Sequence, residues 1–139
     1  MLQQTVDQKA TEKPEVVEAL LTNAELEATE NFWRFRIHMN PRLTLRGSWF
    51  PLSLARKLRK FWDDLRAGKR PILLLQTPPQ HGKSLSVIDF IAWAIGHDPE
   101  LRVIYTSFSD RLGIRANLRL QRILDSKEYR RLFPHVEMA

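Results

Sequence analysis

The sequence predicts an α/β fold, in which helices flank a parallel β-sheet and only the N-terminal half of the domain is present. Two short apolar runs, ILLL at 72–75 and RVIYTSF at 102–108, are typical of strands buried on both faces. Between them, residues 84–99 have helical periodicity, with Val87 and Ile91 on one face. Strand, helix and strand within about 35 residues form a βαβ unit, whose crossover is right-handed.

The composition predicts one folded domain. The chain has 139 residues, and 43% of them are hydrophobic, with four Trp and seven Phe, which favours a buried core over disorder. No cysteine is present, which excludes a disulfide framework and a thiolate metal site. Neither an apolar run of membrane-spanning length nor a signal peptide is found, so the sequence predicts a soluble, intracellular protein without a membrane partner.

Charge is distributed unevenly along the chain, whose net charge is +6. Residues 1–30 contain seven acidic residues and two lysines, whereas residues 31–139 contain twenty Lys or Arg against nine acidic residues. A basic body of this size suits a polyanionic partner, because neutralising phosphates releases counterions. Charge that serves only solubility is the alternative interpretation.

Three regions are predicted along the chain. Residues 1–22 form a polar, acidic leader, and residues 23–68 form a helical segment. Residues 69–139 form the βαβ part, which is truncated before any further strand that ends in an acidic residue.

Helix signals occur on both sides of the first apolar run. Thr22 and Glu25 have capping-box spacing and predict a helix that continues to about Met39. Gly68 is predicted to end the next helix, which has five large apolar residues on one face: Leu54, Leu58, Phe61, Trp62 and Leu65. Ser109 is predicted to cap a later helix, and SKEYRRLFP predicts a last short one.

The segment TPPQHGKS at 77–84 joins the first apolar run to the following helix and has the pattern of a phosphate-binding loop. In G-x-x-x-x-G-K-[ST], backbone N–H groups curl around phosphates, the lysine reaches the outer phosphates, and the hydroxyl binds Mg²⁺. Gly82, Lys83 and Ser84 fill the last three positions of this pattern, and Thr77 stands in place of the first glycine.

Two prolines change how this loop can donate hydrogen bonds. Pro78 and Pro79 have no N–H, so the five amides from Gln80 to Ser84 form the predicted cradle, and the prolines stiffen its entry. The pattern also occurs by chance with a solvated lysine, but a lysine suits a helix start poorly and the flanking apolar runs favour phosphate binding. The ring of His81 is expected on the surface and not in a metal site, since no second ligand lies at metal spacing.

Five segments follow one another in a recognisable order: GSWFPLSLARKLRKFWDDLRAGKRP, PPQHGKS, AWAIGHDP, VIYTSFS and SKEYRRLFP. Together, over about residues 48–135, they resemble the large terminase subunit of tailed bacteriophages and prophages. Members of that family are ATP-driven motors that thread viral DNA into proheads. The resemblance implies a P-loop NTPase-type fold, with a Walker A loop at 77–84.

The resemblance also implies an ATP and Mg²⁺ site. Lys83 would be the catalytic lysine that contacts the β- and γ-phosphates, and Ser84 would bind Mg²⁺. The family often has an arginine where this chain has Gln80, which can donate a hydrogen bond but supplies no charge. The helix before the loop would help to hold adenine, with three candidate residues: Trp49, Phe50 and Ser53.

Partners and location are implied by the same resemblance. The partners would be double-stranded DNA, the portal and a small terminase subunit, with a homo-oligomeric ring for the full-length protein. The protein would work in the cytoplasm of the bacterial host and would not be found in the mature virion. The nuclease domain of the family would lie outside this chain.

Hydrolysis needs carboxylates as well as a phosphate-binding loop. The run RVIYTSF ends without an acid, and Asp110 is expected in the first turn of the next helix, where an acid suits the helix dipole. No further apolar run ends in Asp or Glu before residue 139. The sequence therefore predicts binding without turnover by this chain alone, as a fragment, a truncated reading frame or a remnant.

Four arginines recur at helical spacing as candidates for DNA contact: Arg111, Arg115, Arg119 and Arg122. A solvated face, or pairing with acids elsewhere, is the alternative interpretation. Two other functions stay open: another P-loop ATPase, such as a helicase-like enzyme or a small kinase, and a non-catalytic, basic DNA- or protein-binding remnant.

Overall fold

The computed structural model describes residues 20–45 and 49–138, and 65% of these residues are helical. The helices in this part of the chain are α1 Asn23–Glu30, α2 Phe32–Met39, a 3₁₀ helix Pro41–Leu45, α3 Trp49–Arg66, α4 Lys83–His97, α5 Asp110–Asp125 and α6 Lys127–Leu132. None of them combines the length and the apolar character that a membrane crossing requires. Residues 1–19 of the predicted leader lie outside the described residues.

The predicted parallel sheet is wrong. Across the described residues, the apolar runs at 72–75 and 102–108 are irregular and form no strand, so the βαβ unit and the P-loop NTPase-type α/β fold are wrong as well. Ile72 is 97% exposed and Ile104 is 91% exposed, where the prediction required burial. The physical reason is that parallel strands are stable within sheets of several strands covered on both faces, and these two runs do not pair.

The first predicted helix is present as two helices. The capping box at its start is confirmed, because the Thr22 hydroxyl accepts from Glu25 N at 3.2 Å and Glu25 Oε2 accepts from Thr22 N at 2.7 Å. The single helix predicted to reach Met39 is broken at Asn31, which has φ −118° and ψ 118°. Asn31 Oδ1 accepts from Arg34 N at 3.2 Å, so the asparagine begins α2 as its cap.

Groups from α3 and α4 stabilise this break. Trp93 Nε1 donates to the Thr29 oxygen at 3.2 Å, and Nε2 of His97 lies 2.7 Å from the same oxygen. Arg59 Nη1 donates to the Glu30 oxygen at 2.6 Å. Burial in this position lowers the pKa of His97. These contacts satisfy carbonyls at the end of α1 that an uninterrupted helix would have bonded itself.

One aromatic core joins the first two helices to α4 and α6. Phe32 meets Phe90 edge to face, with ring centroids 5.6 Å apart, and Phe35 meets Tyr129 in the same way at 6.2 Å. Edge-to-face contacts add to the stabilisation that apolar burial provides. Residues of the predicted helical segment 23–68 therefore share a core with residues that follow the loop.

The prediction for α3 is confirmed at its end and in part on its apolar face, where Phe61 is partly buried and Leu65 is 38% exposed. Three of the predicted apolar residues are buried: Leu54, Leu58 and Trp62. Gly68 has φ +80°, and its N–H donates to the Leu65 oxygen at 3.1 Å. Lys69 N donates to the Asp64 oxygen at 3.1 Å, which completes a Schellman motif.

The segments AIGHDP and LFP contact each other. Gly96 lies within α4, where a Cβ atom would approach the Phe133 ring to 2.7 Å. His135 Nε2 lies 2.7 Å from the Gly96 oxygen, and the Tyr129 hydroxyl donates to the Ala92 oxygen at 2.7 Å. Glycine at position 96 thus permits the close packing of an aromatic ring against α4.

Candidate functional site

The loop 77–82 leads directly into the first turn of α4. Gly82, the residue before the helix, has φ 75° and ψ 16°, in the left-handed region that favours glycine. Gln80 also lies in this region, with φ 62°. Between them, Nδ1 of His81 lies 2.9 Å from the Pro79 oxygen. Left-handed residues in a short loop turn successive N–H groups toward one concave side, as in anion-binding nests.

The start of α4 differs from the starts of four other helices. In α1, α2, α5 and α6, the side chain before the helix accepts a hydrogen bond from a first-turn amide: Thr22, Asn31, Ser109 and Ser126. In α4, no side chain caps the helix, and the first turn has no acidic residue but begins with Lys83. The helix dipole disfavours a lysine there. An anion at this end would bond the uncapped amides and offset the lysine charge.

An open cleft of about 1500 Å³ lies over the loop and is lined by all eight residues of the segment 77–84. Two of the adenine candidates, Trp49 and Phe50, also line it. The Phe50 and His81 rings meet edge to face at 5.7 Å, and Trp49 is 76% exposed, so its indole is accessible to a ligand. The third candidate, Ser53, lines a separate, smaller cleft.

Polar groups of the loop suit a ligand that carries both phosphate and Mg²⁺. Thr77 Oγ1 is buried and has no hydrogen-bond partner within the described part of the chain. Ser84 is exposed at the second position of α4, the position that the sequence pattern assigns to the Mg²⁺-binding hydroxyl. Across residues 20–45 and 49–138, no three His, Cys, Asp or Glu side chains come together to hold a metal by themselves.

A network of one acid and two arginines adjoins this cleft. Arg36 of α2 lines the cleft with a side chain that is only 4% exposed, and its Nε donates to Asp89 Oδ2 of α4 at 3.1 Å. Arg119 Nη2 donates to Asp89 Oδ1 at 3.3 Å. Two N–H groups stay buried without a partner in the described residues: Arg36 Nη1 and Arg119 Nε. We call these three residues the Arg36–Asp89–Arg119 triad, and it carries one more positive than negative charge.

The four arginines predicted to contact DNA occupy different environments on α5. Arg111, Arg115 and Arg122 are exposed, and no acidic residue of the described chain pairs with them. Arg119 is half-buried and engaged by Asp89. Three of the four candidates are thus accessible to a polyanion, whereas the guanidinium of Arg119 is committed to the triad.

Sequence reasoning missed Arg36 and Asp89. Arg36 lies between Phe35 and Ile37, and Asp89 lies in the apolar stretch SVIDFIAW. A charged residue within an apolar stretch indicates a buried ion pair, because an unpaired buried charge is unfavourable. That signal does not identify the partner, since 53 positions separate the two residues.

No protein-family model, no curated protein and no solved structure matches this chain.

Proposed function

We propose that this chain binds ATP with Mg²⁺ at the loop 77–84, as the nucleotide-binding part of a viral DNA-packaging ATPase similar to the large terminase subunit. One observation carries the proposal: the loop enters α4 through left-handed Gly82, and Lys83 follows with no side chain capping the first amides. Amide donors, a cation and the positive end of a helix therefore lie at one point. The amides and Lys83 would hold the phosphates, and Ser84 would complete the coordination of Mg²⁺.

The aromatic pair at the start of α3 favours a nucleotide over inorganic phosphate. The rings of Trp49 and Phe50 lie 5.7 Å apart and line the same cleft as the loop. Aromatic rings can stack on any of the nucleobases. We assign the base to exposed Trp49, with Phe50 fixed between Trp49 and His81.

Binding without turnover is expected from this chain alone. Hydrolysis needs a carboxylate that organises Mg²⁺ or orients water. Asp89 is engaged by two arginines, and Asp110 lies in the first turn of α5. In the proposed motor, double-stranded DNA, the portal and a small terminase subunit would be partners of a homo-oligomeric ring in the host cytoplasm.

The test is a calorimetric titration of the chain with Mg-ATP, comparing Lys83→Ala with Lys127→Ala. Each lysine is the first residue of a helix, but Ser126 caps the helix of Lys127. We expect Lys83→Ala to weaken binding by at least about tenfold, because a charge-assisted contact to phosphate is lost. Lys127→Ala should bind like the wild type. Equal affinities of Lys83→Ala and the wild type would contradict the proposed site.

A second candidate function is DNA contact by α5, favoured by the exposed arginines that have no acidic partner in the described chain. The test is DNA binding as a function of salt for an Arg115→Ala/Arg122→Ala double variant. Each lost phosphate contact reduces the slope of log K against log salt by about 0.9. The matched control, Arg56→Ala/Lys57→Ala, removes two charges from α3. Equal slopes for the two double variants would exclude a specific role of α5.

A further inference from the structure

A buried arginine, Arg36, lies beside a loop that has few positive charges of its own. The loop has glutamine at position 80, so it supplies one cationic side chain, Lys83. Arg36 lines the same cleft from α2, and its side chain is more than nine-tenths buried. One of its terminal N–H groups, Nη1, has no partner among the described residues.

We propose that Arg36 is a second cationic contact for the phosphates bound at the loop, with Asp89 as the residue that positions it. This inference rests on the proposed function and extends it to a residue far from the loop in sequence. Asp89 holds the guanidinium through Nε at 3.1 Å and leaves Nη1, which is itself buried, without an acceptor in the described chain. Arginine suits this task because it stays charged when buried and has several donors in a fixed plane.

The charges of the triad favour this ligand-binding role over a purely structural ion pair. One arginine would balance Asp89, but the triad contains two, and both have a buried N–H without a partner in the described chain. The Arg119 side chain is 37% exposed but shares Asp89, so the buried Arg36 has only part of that carboxylate's charge as compensation, which is unfavourable. A bound phosphate would supply the missing negative charge and an acceptor for Nη1. Arg119 does not line the cleft, so Arg36 is the member of the triad that faces the ligand.

The experiment compares Arg36→Gln with Arg119→Gln in the full chain, using calorimetry with Mg-ATP and with tripolyphosphate. The second probe carries phosphates without a base, so it isolates the phosphate contacts from Trp49. We expect Arg36→Gln to weaken both probes by the same factor, roughly tenfold to a hundredfold. Arg119→Gln removes the other arginine from the same carboxylate and should change either affinity by less than about threefold. Trp49→Ala should weaken Mg-ATP alone.

Arg36→Lys is the second variant, because it keeps a cation beside Asp89 if Arg36→Gln does not fold. The lysine ammonium cannot reproduce the planar arrangement by which arginine donates to a carboxylate and a phosphate at once. We therefore expect Arg36→Lys to lose affinity for both probes by about fivefold or more. Its melting temperature should stay near that of Arg119→Gln.

Three results would overturn this role of Arg36. Wild-type affinity in folded Arg36→Gln or Arg36→Lys overturns it while Lys83→Ala still tests the loop. Equal losses in the Arg36 and Arg119 variants overturn it too, because the triad would then act only through the fold. If the wild type binds neither probe, both the loop proposal and the role of Arg36 fail.

Discussion

The aromatic core and the apolar segments 72–75 and 102–108 contain the same kinds of side chain in opposite environments. Phe35 of the core is 0% exposed, whereas Phe108 is 101% exposed. In the core, helices from both sides of the loop enclose each ring, and edge-to-face contacts order the rings relative to one another. In the segments, only Leu73 and Leu75 pack against that core.

Apolar composition does not decide burial in this chain, whereas contacts from neighbouring helices do. At the break between α1 and α2, contacts from Trp93, His97 and Arg59 satisfy the end carbonyls, so an irregular backbone is stable there. Leu73 and Leu75 touch the core, but no hydrogen bond from a distant helix to the backbone of segments 72–75 or 102–108 is found among the described residues.

Replacing phenylalanine with alanine should affect the free energy of unfolding very differently in the core and in segment 102–108. Phe35→Ala should lower the free energy of unfolding by about 3–5 kcal/mol, because it leaves a cavity in a packed core. Phe108→Ala should change that free energy by less than about 0.5 kcal/mol. Urea unfolding followed by tryptophan fluorescence measures both. A large loss of stability in Phe108→Ala would contradict the exposure of this side chain, since the ring would then have to be buried in solution.

Glycine-to-alanine substitutions within α4 and α5 should have smaller effects on stability. Gly96→Ala should lower the free energy of unfolding by about 1–3 kcal/mol, because its Cβ would lie 2.7 Å from atoms of the enclosed Phe133 ring. Gly113→Ala should raise it by up to about 1 kcal/mol, because alanine favours a helix and its Cβ meets only the Ser107 hydroxyl, at 3.3 Å. Thermal unfolding gives the order, and the reverse order would contradict the packing described for α4.

Local signals predicted the helices well and the sheet wrongly. The capping box at Thr22, the end of α3 at Gly68 and the cap at Ser109 depend on residues within a few positions of one another, and all three are confirmed. A strand depends on a partner elsewhere in the chain, which a short apolar run does not specify. The break at Asn31 was missed for a related reason, since its stabilising donors come from distant helices.

In the candidate site, too, the residues with a local sequence signal were predicted, and those that depend on distant contacts were missed. The segment 77–84 was predicted from its own pattern, and the structure brings Trp49 and Phe50 into the cleft over it. Arg36 and Asp89 were missed, because their pairing is a contact between helices far apart in sequence. Arg119 was placed on a DNA-binding stripe by periodicity alone, which cannot show that Asp89 engages it.

The smallest expected effect concerns acid stability of the core region, where Glu25 of α1 pairs with Arg131 of α6. The hydrogen bond from Arg131, with that from the Thr22 N–H, lowers the pKa of Glu25 from 4.5 to about 2. Because the folded state favours the ionised carboxylate, this contribution is fully present above about pH 4.5. It is lost as the pH falls from 4.5 towards 2. Glu25→Gln should therefore unfold at lower urea concentration at pH 7 and lose less stability than the wild type over that pH window.

Glu27→Gln is the matched control for this measurement, because it makes the same change on the exposed side of the same helix. Its ion pair with Arg34 is solvent-exposed on both partners, and such pairs contribute little. Urea midpoints measured from pH 7 to pH 2 should fall in parallel for Glu27→Gln and the wild type, and less steeply for Glu25→Gln. Parallel curves for all three proteins would mean that the contact between α1 and α6 does not hold the core together. The stability of the aromatic core would then not depend on this ion pair.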